Sequence, residues 1–241
     1  MNILLSGIFD IIVSYPASGS EWQYYLLFAL AVAAIAIVSY LLGSINSAVL
    51  ISRLMYREDI RSQGSGNAGL TNMLRTYGKG AAALTLVGDL IKTALAILFT
   101  AFVFGISYKN GISLSGFCYL SALCAVLGHV FPIFYGFKGG KGVLVTAVSA
   151  IILCPAVFGL LFTLFVIIVA ISGFVSLGSI VAASLFPVCV CLYSYFIGGG
   201  LPIMTVICSL FLGAFIVWCH RSNIKRLREG NEKKISIGKR K

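Results

Sequence analysis

The feature that most limits this chain is a series of unbroken apolar runs, most of them near the ~20 residues an α-helix needs to cross a ~30 Å hydrocarbon core. They fall at about Trp22–Leu42, Gly80–Ile106, Leu114–Tyr135, Val143–Ile171, Ser179–Ile197 and Leu201–Cys219. The first continues past a polar break, Gly43-Ser44-Ile45-Asn46-Ser47, toward Met55. The runs are continuous rather than alternating, so they predict helices, which satisfy their own backbone in lipid; a β-barrel would show ~10-residue alternating segments. Only 10% of the residues are charged and 59% are hydrophobic. Soluble domains carry about 25% charged residues, so lipid must cover most of this surface. The seven cysteines lie in apolar runs without a CxxC pair and read as small apolar fillers, not as a metal or disulfide framework. The stretch Ile3–Val13 contains Asp10 and lacks a basic start, which makes it a poor secretory signal. Residues 1–21 are expected to be an external or interfacial extension.

Basic residues give the orientation. All lysines and arginines except Lys92 and Lys109 lie in or beside three places: the polar stretch Tyr56–Lys79, the short loop Gly136–Gly142, and the tail from Arg221. The positive-inside rule puts all three in the cytoplasm. An even number of crossings must then separate the second loop from the tail, yet the apolar runs between them are odd in number. Pro155 interrupts Val143–Ile171, and proline breaks the helix ladder. The run therefore divides into Val143–Cys154 and Ala156–Ile171, the first only about 18 Å long as a helix and so re-entrant or thinning the bilayer. The expectation is an all-α integral membrane protein of about seven transmembrane helices, with the N-terminus outside and the C-terminus cytoplasmic. Residues 22–220 form the transmembrane domain and 221–241 a basic cytoplasmic tail, whose end, Lys233–Lys241, anchors to the lipid surface. Ser172–Ser179 joins the other polar loops on the cytoplasmic face.

Two loops carry the chemistry. Gly64-Ser65-Gly66-Asn67-Ala68-Gly69-Leu70-Thr71-Asn72, followed by Arg75, combines glycines that let backbone N–H groups approach an anion, polar donors, and a planar guanidinium suited to phosphate. On spacing alone an ordinary flexible loop is the alternative, and it is not a Walker A loop, because no Gly-Lys-Ser/Thr follows. Phe137-Lys138-Gly139-Gly140-Lys141-Gly142 sets two lysines among glycines at a helix mouth, either a second anion site or a positive-inside anchor. Asp89 and Lys92 share a helix face within the membrane, as a structural ion pair or a functional one. His129 and His220 lack ligand-spaced partners and make a poor metal site; each reads as a polar residue at a helix end. No His-x4-Asp box or Gly-x-Ser-x-Gly elbow is present, and with seven acidic residues in the chain a Ser-His-Asp triad or carboxylate cage is hard to build.

At these residues the chain resembles a known family. Gly43–Ser47, Gly64–Arg75, Gly128-His129-Val130-Phe131-Pro132, Phe137–Gly142, Val175-Ser176-Leu177-Gly178-Ser179 and His220-Arg221-Ser222-Asn223-Ile224 look like the motifs, in order, of the bacterial acyl-phosphate:glycerol-3-phosphate acyltransferases. The match runs from about Leu27 to Glu232. The chain departs from the family pattern at Asn46 and Ala68, where proline is usual, at Leu70, where alanine is usual, and at Thr93, where glycine is common.

The resemblance implies seven transmembrane helices in a bacterial cell membrane and transfer of an acyl group from acyl phosphate to the 1-hydroxyl of sn-glycerol 3-phosphate, giving lysophosphatidic acid and inorganic phosphate. By motif match, Gly64, Gly66, Asn67, Gly69, Thr71 and Asn72 bind the acyl phosphate, with Gly139, Gly140 and Gly142 in the second loop. Ser65, Arg75, Ser176, His220, Asn223 and either Lys138 or Lys141 complete the site. Neither cofactor, metal nor nucleic acid is implied; the partners are the two substrates, membrane lipids and the soluble enzyme that forms acyl phosphate. An acyl phosphate is already activated, so no covalent acyl-enzyme is needed. The hydroxyl proton would go to a substrate phosphate oxygen or to His220. A transporter of phosphorylated solutes and a structural protein with a lipid-holding tail are the readings of other classes.

Overall fold

The computed structural model describes residues 21–105 and 114–235, and every regular element within them is helical. The expected extension up to residue 20, Lys109, and the tail beyond residue 235 lie outside the described residues.

Helix α1 spans Glu21–Ser44 and ends at the polar break. Asn46 is extended there, and its side chain accepts a hydrogen bond from the Val49 N–H at 3.1 Å, which caps α2, Ser47–Tyr56. The stretch Tyr56–Lys79, expected as a loop, contains a 3-10 turn at Ile60–Ser62 and a helix, α3, at Leu70–Tyr77. Thr71, Asn72 and Arg75 therefore stand on a helix. A small core of Ala48, Val49, Ile60, Ala68, Met73 and Ala81 holds this segment together.

Helix α4 covers Lys79–Phe104, and α5 covers Leu114–Val130, stopping ahead of Pro132. The apolar run with Pro155 divides as expected: α6 is Val143–Leu153, Cys154 is the joint, and Pro155 is the first residue of α7, Pro155–Ser172, where its missing N–H costs nothing. Helix α8 is Val175–Phe196, α9 is Ile203–Cys219 and α10 is Arg221–Arg228. The expected loop Ser172–Ser179 shrinks to Gly173 and Phe174. Ser172 Oγ accepts from the Phe174 N–H at 3.1 Å, so the turn closes at once and Ser176 and Ser179 fall on α8.

Among the described residues, five helical stretches are long and apolar enough to cross a membrane; α9 reaches that length only with α10, from which it bends by 52°, and α6 is shorter. These are the elements of a multi-pass membrane protein. Helix α5 is the hub, packed against α1, α4, α6 and α9, while α7 lies outside against α6 and α8. Small residues set the α1–α5 spacing. A Cβ on Gly128 would sit 2.1 Å from the Tyr40 carbonyl oxygen, and one on Gly43 would sit 2.1 Å from that of Ala125.

Candidate active site

Four segments meet at one end of the bundle: Gly64–Arg75, Lys141–Gly142 ahead of α6, the start of α8, and the α9–α10 junction with the chain after α10. Together they line a cavity of about 710 Å³.

The first loop turns through left-handed backbone at Gly64 (φ +61°) and Gly66 (φ +73°). Asn72 holds that shape. Its Oδ1 accepts from the Ser65 N–H at 2.9 Å, and its Nδ2 donates to the carbonyls of Ile60, Gln63 and Asn67 at 3.3, 3.0 and 3.1 Å. Asn72 is buried, and its polar atoms are committed to the loop. Ser65 and Arg75 are exposed to the cavity, and Arg75 pairs with no carboxylate among the described residues.

The second loop is built differently. The N–H groups of Gly139 and Gly140 donate to the carbonyls of Val130 and His129, at 3.0 and 3.1 Å, so they cap the end of α5. A Cβ on Gly140 would lie 2.1 Å from His129 Nε2. Lys138, Gly139 and Gly140 do not line the cavity, whereas Lys141 and Gly142 do. Arg61 clasps this loop to the first: its Nη1 donates to the carbonyls of Tyr135 and Lys138 at 2.6 and 2.9 Å, while Asp59 grips its Nε and Nη2 at 2.9 and 2.7 Å.

Beneath both loops lies a buried polar cluster. Asp89 Oδ1 accepts from Ser47 Oγ at 2.9 Å and pairs with Lys92 Nζ at 2.8 Å. Lys92 Nζ also donates to the Ile45 carbonyl and to His129 Nδ1, both at 3.0 Å. An ammonium only donates, so Nδ1 is the accepting nitrogen. His129, read from sequence as a helix-end residue, is thus the third member of the Asp89–Lys92 pair. Asn46 Nδ2 reaches the Ala68 carbonyl at 3.4 Å and ties the first loop to the same base.

The last wall comes from α8, α10 and the chain beyond. Glu232, an acid among basic residues that sequence reasoning left in the tail, is the centre here. Its Oε1 accepts from Ser176 Oγ and Asn223 Nδ2 at 2.7 and 2.6 Å, and its Oε2 from Arg226 Nε at 2.7 Å. Burial works to raise its pKa, but these donors hold it below the usual carboxylate range. The segment continues to Ile235, whose N–H donates to the Gly173 carbonyl at 2.8 Å. Lys141 donates through Nζ to Asn223 Oδ1. Burial, reinforced by the nearby Arg226 charge, lowers Lys141 from 10.5 to about 8. His220 Nδ1 lies 2.7 Å from the Ile216 carbonyl, which can only accept, so Nδ1 carries the proton. Burial lowers His220 to about 4, leaving a neutral ring with Nε2 as its acceptor.

Below this polar rim the walls turn apolar, with Ala147 and Ala150 on α6, Phe158, Leu161 and Phe162 on α7, and Ala183 and Phe186 on α8. One end of the cavity suits an anion and the other an aliphatic chain. Of the residues expected from sequence, Gly64, Ser65, Gly66, Asn67, Gly69, Thr71, Asn72, Arg75, Lys141, Gly142, Ser176, His220 and Asn223 line it. Arg226, Glu232, His129 and the aromatic wall were not singled out for the site; their signal is spatial.

Residues 33–230 match the family model described as glycerol-3-phosphate acyltransferase. A protein of that name from Clostridioides difficile (strain 630) is 39% identical over 201 residues, covering 83% of this chain and 94% of that one. Another, from Syntrophomonas wolfei subsp. wolfei, is 41% identical over 204 residues, covering 85% and 97%. The crystal structure of PlsY (YgiH), an integral membrane glycerol 3-phosphate acyltransferase, in its glycerol 3-phosphate form, superposes with a TM-score of 0.72 at 33% identity, covering 85% of this chain and 96% of that one. Its lysophosphatidic acid form gives 0.70 at 32% identity.

Proposed function

The chain belongs to the glycerol-3-phosphate acyltransferase family, and we propose that its acyl donor is an acyl phosphate, its product lysophosphatidic acid with inorganic phosphate, and its setting the bacterial inner membrane with the loops on the cytoplasmic side. The observation that carries this reading is the cavity with two halves: a net-cationic rim, with Arg75 and Lys141 beside the Arg226–Glu232 ion pair, over an apolar groove. A long-chain acyl phosphate has the same division.

The 1-hydroxyl of glycerol 3-phosphate attacks the acyl carbonyl carbon. The new ester C–O bond forms as the bond from that carbon to the phosphate oxygen breaks. Two anionic substrates must lie side by side, and Arg75 and Lys141 offset their repulsion. The hydroxyl proton has to go somewhere. Asp89 and Glu232 already accept two or more hydrogen bonds each, and His220 is a weak base at about 4. This supports a phosphate oxygen of the donor as the proton acceptor, so that phosphate leaves as the monoprotonated ion. Lys141 is the loop lysine of the site; Lys138 is exposed beyond the cavity. Membrane lipids and the soluble enzyme that forms acyl phosphate remain its proposed partners.

The test is phosphate release by the purified protein from a synthetic long-chain acyl phosphate. Release that requires glycerol 3-phosphate and matches lysophosphatidic acid mole for mole is expected. Release without glycerol 3-phosphate would make the protein a hydrolase. Turnover of acyl thioesters but not of acyl phosphate would overturn the donor.

A further inference from the structure

The chain beyond α10 forms a strap. The Asn231 N–H donates to the Arg226 carbonyl at 2.8 Å, and the Ile235 N–H donates to the Gly173 carbonyl at 2.8 Å. Between those ends Glu232 is held by Ser176, Asn223 and Arg226. Lys234 lays its stem beside Gly173 and its ammonium 5.6 Å from the centre of the Phe174 ring. The strap therefore runs from the end of α10 to the turn before α8, pinned on both sides of Lys233. Lys233 itself is exposed, lines the cavity and pairs with no carboxylate among the described residues. Sequence alone groups it with the basic end of the tail; the strap sets it on the cavity wall.

The charges around the cavity define what a lysine there can do. A phosphoryl group carries about −1.5 to −2 at pH 7, so two phosphorylated substrates bring about −3 to −4. Against that, Arg226 is already paired with Glu232, and Asp89 with Lys92. Arg75 and Lys141 remain, and Lys141 is the weaker of the two in the empty site, since burial lowers it to about 8. Two cations leave a pair of phosphates under-compensated, and Lys233 supplies a third. Its backbone is already held by the strap bonds on either side, so only the side chain has to be ordered when an anion arrives. Its place also selects the anion. Lys233 belongs to the wall of Ser176, Asn223 and Lys141, joined through Glu232 and the Lys141–Asn223 bond. It does not belong to the loop Gly64–Arg75, which the resemblance gives to the acyl phosphate.

We propose that Lys233 is a further substrate-binding residue, whose ammonium donates a charge-assisted hydrogen bond to the phosphate of glycerol 3-phosphate. The inference deepens the acyl-transfer reading above and rests on glycerol 3-phosphate as the acceptor. The bond anchors the end of glycerol 3-phosphate remote from the attacking hydroxyl. It is made equally before and during the reaction, so it lowers KM for that substrate rather than raising kcat.

Calorimetric titration with glycerol 3-phosphate alone reads this site without turnover. Lys233→Gln should bind on the order of 10-fold more weakly than wild type, the scale of one lost charge-assisted hydrogen bond. In turnover its KM for glycerol 3-phosphate should rise by the same factor, while kcat and the KM for acyl phosphate stay near wild type. Lys233→Arg should keep most of the affinity. Lys225→Gln removes the same charge from the exposed outer face of α10, outside the cavity, and should bind as wild type does. Equal losses in the two glutamine variants would mean that the general field of the tail draws the anion, and that overturns the assignment. Wild-type affinity in Lys233→Gln overturns it as well. A rise in the KM for acyl phosphate alone gives Lys233 to the donor and overturns it too. A wild-type protein that binds glycerol 3-phosphate through Lys233 but does not turn over acyl phosphate overturns the donor reading and leaves this assignment standing.

Discussion

Lys141 carries a charge that its own surroundings weaken. Its pKa falls from 10.5 to about 8, through burial first and the Arg226 charge second. Between those two values the unliganded native protein binds fewer protons than the unfolded chain, so the stability contribution from Lys141 rises with pH across that window and is least favourable below about 8. A bound phosphate reverses the balance, since an anion beside the amine favours its charged form. Binding of glycerol 3-phosphate near pH 8.5 should therefore take up protons (about half a pH unit above that midpoint). Calorimetric titration in buffers of different ionisation enthalpy reads this directly. Wild type should show uptake and Lys141→Arg, whose charge is permanent, should show none; equal values would remove Lys141 from the anion site. His220 makes the complementary prediction. With its pKa near 4 it gives the rate no limb around 6.5, and His220→Gln should lose only part of the rate. A limb near 6.5 present in wild type and absent from the glutamine variant would make His220 the base. At Arg75, lysine keeps the charge but loses the planar fork, and a fall on the order of 10²-fold in kcat/KM is expected. The peculiar residues of the first loop stood out in an otherwise apolar sequence. Glycine is more ambiguous: Gly139 and Gly140 answer the same need for a missing Cβ, but their N–H groups cap α5, and spacing does not separate those uses.

At the scale of elements, the long helices were readable because lipid demands continuous apolar runs, and Pro155 marked a true boundary. Short elements were not. Helix α3 is eight residues long, too brief for a 3.6-residue period to emerge from its polar composition, and its place depends on Ile60, Ala68 and Met73 packing together. Helix α8 begins at Val175 because Ser172 closes the turn, a contact invisible as pattern. The Arg61 clasp belongs to the same class, since both its acceptors are carbonyls some seventy residues away. Those charge-assisted bonds hold the loop bearing Lys141 in register with the loop bearing Ser65 and Arg75. Arg61→Ala should speed amide hydrogen exchange across 135–140 with no ligand present. It should also lower kcat/KM on the order of 10-fold, the scale of losing about 1.5 kcal/mol of charged hydrogen bonding. Arg61→Lys should fall between. Unchanged exchange in the alanine variant would show that the loop keeps its position without the clasp.

For the whole molecule, direction in the membrane follows from charge and from the single end at which the site forms. The first loop, the Lys141 loop, the start of α8 and the α9–α10 junction all line one cavity, so they share one side of the bilayer. The basic residues gather in those same segments, and the orientation we propose, by the positive-inside rule, puts that side in the cytoplasm. Helix α6 makes the geometry unusual. Its 11 residues rise about 16 Å, roughly half a hydrocarbon core, and Cys154–Pro155 then returns the chain. Helix α7, with 18 residues, is long enough to cross, so the short α6 is the one segment that needs a thinned bilayer or a re-entrant path in the topology we propose. Orientation can be measured by single cysteines in a chain whose seven native cysteines are replaced. A cysteine at Gln63 should react with an impermeant maleimide only after the cells are opened, and one at Leu201, in the turn between α8 and α9, should react in intact cells. Labelling in the reverse pattern would put the cavity outside the cell. Labelling of both sites in intact cells would mean that an even number of crossings separates them, where the proposed topology has the odd number five, α4 to α8, and the seven-span topology would fall with it.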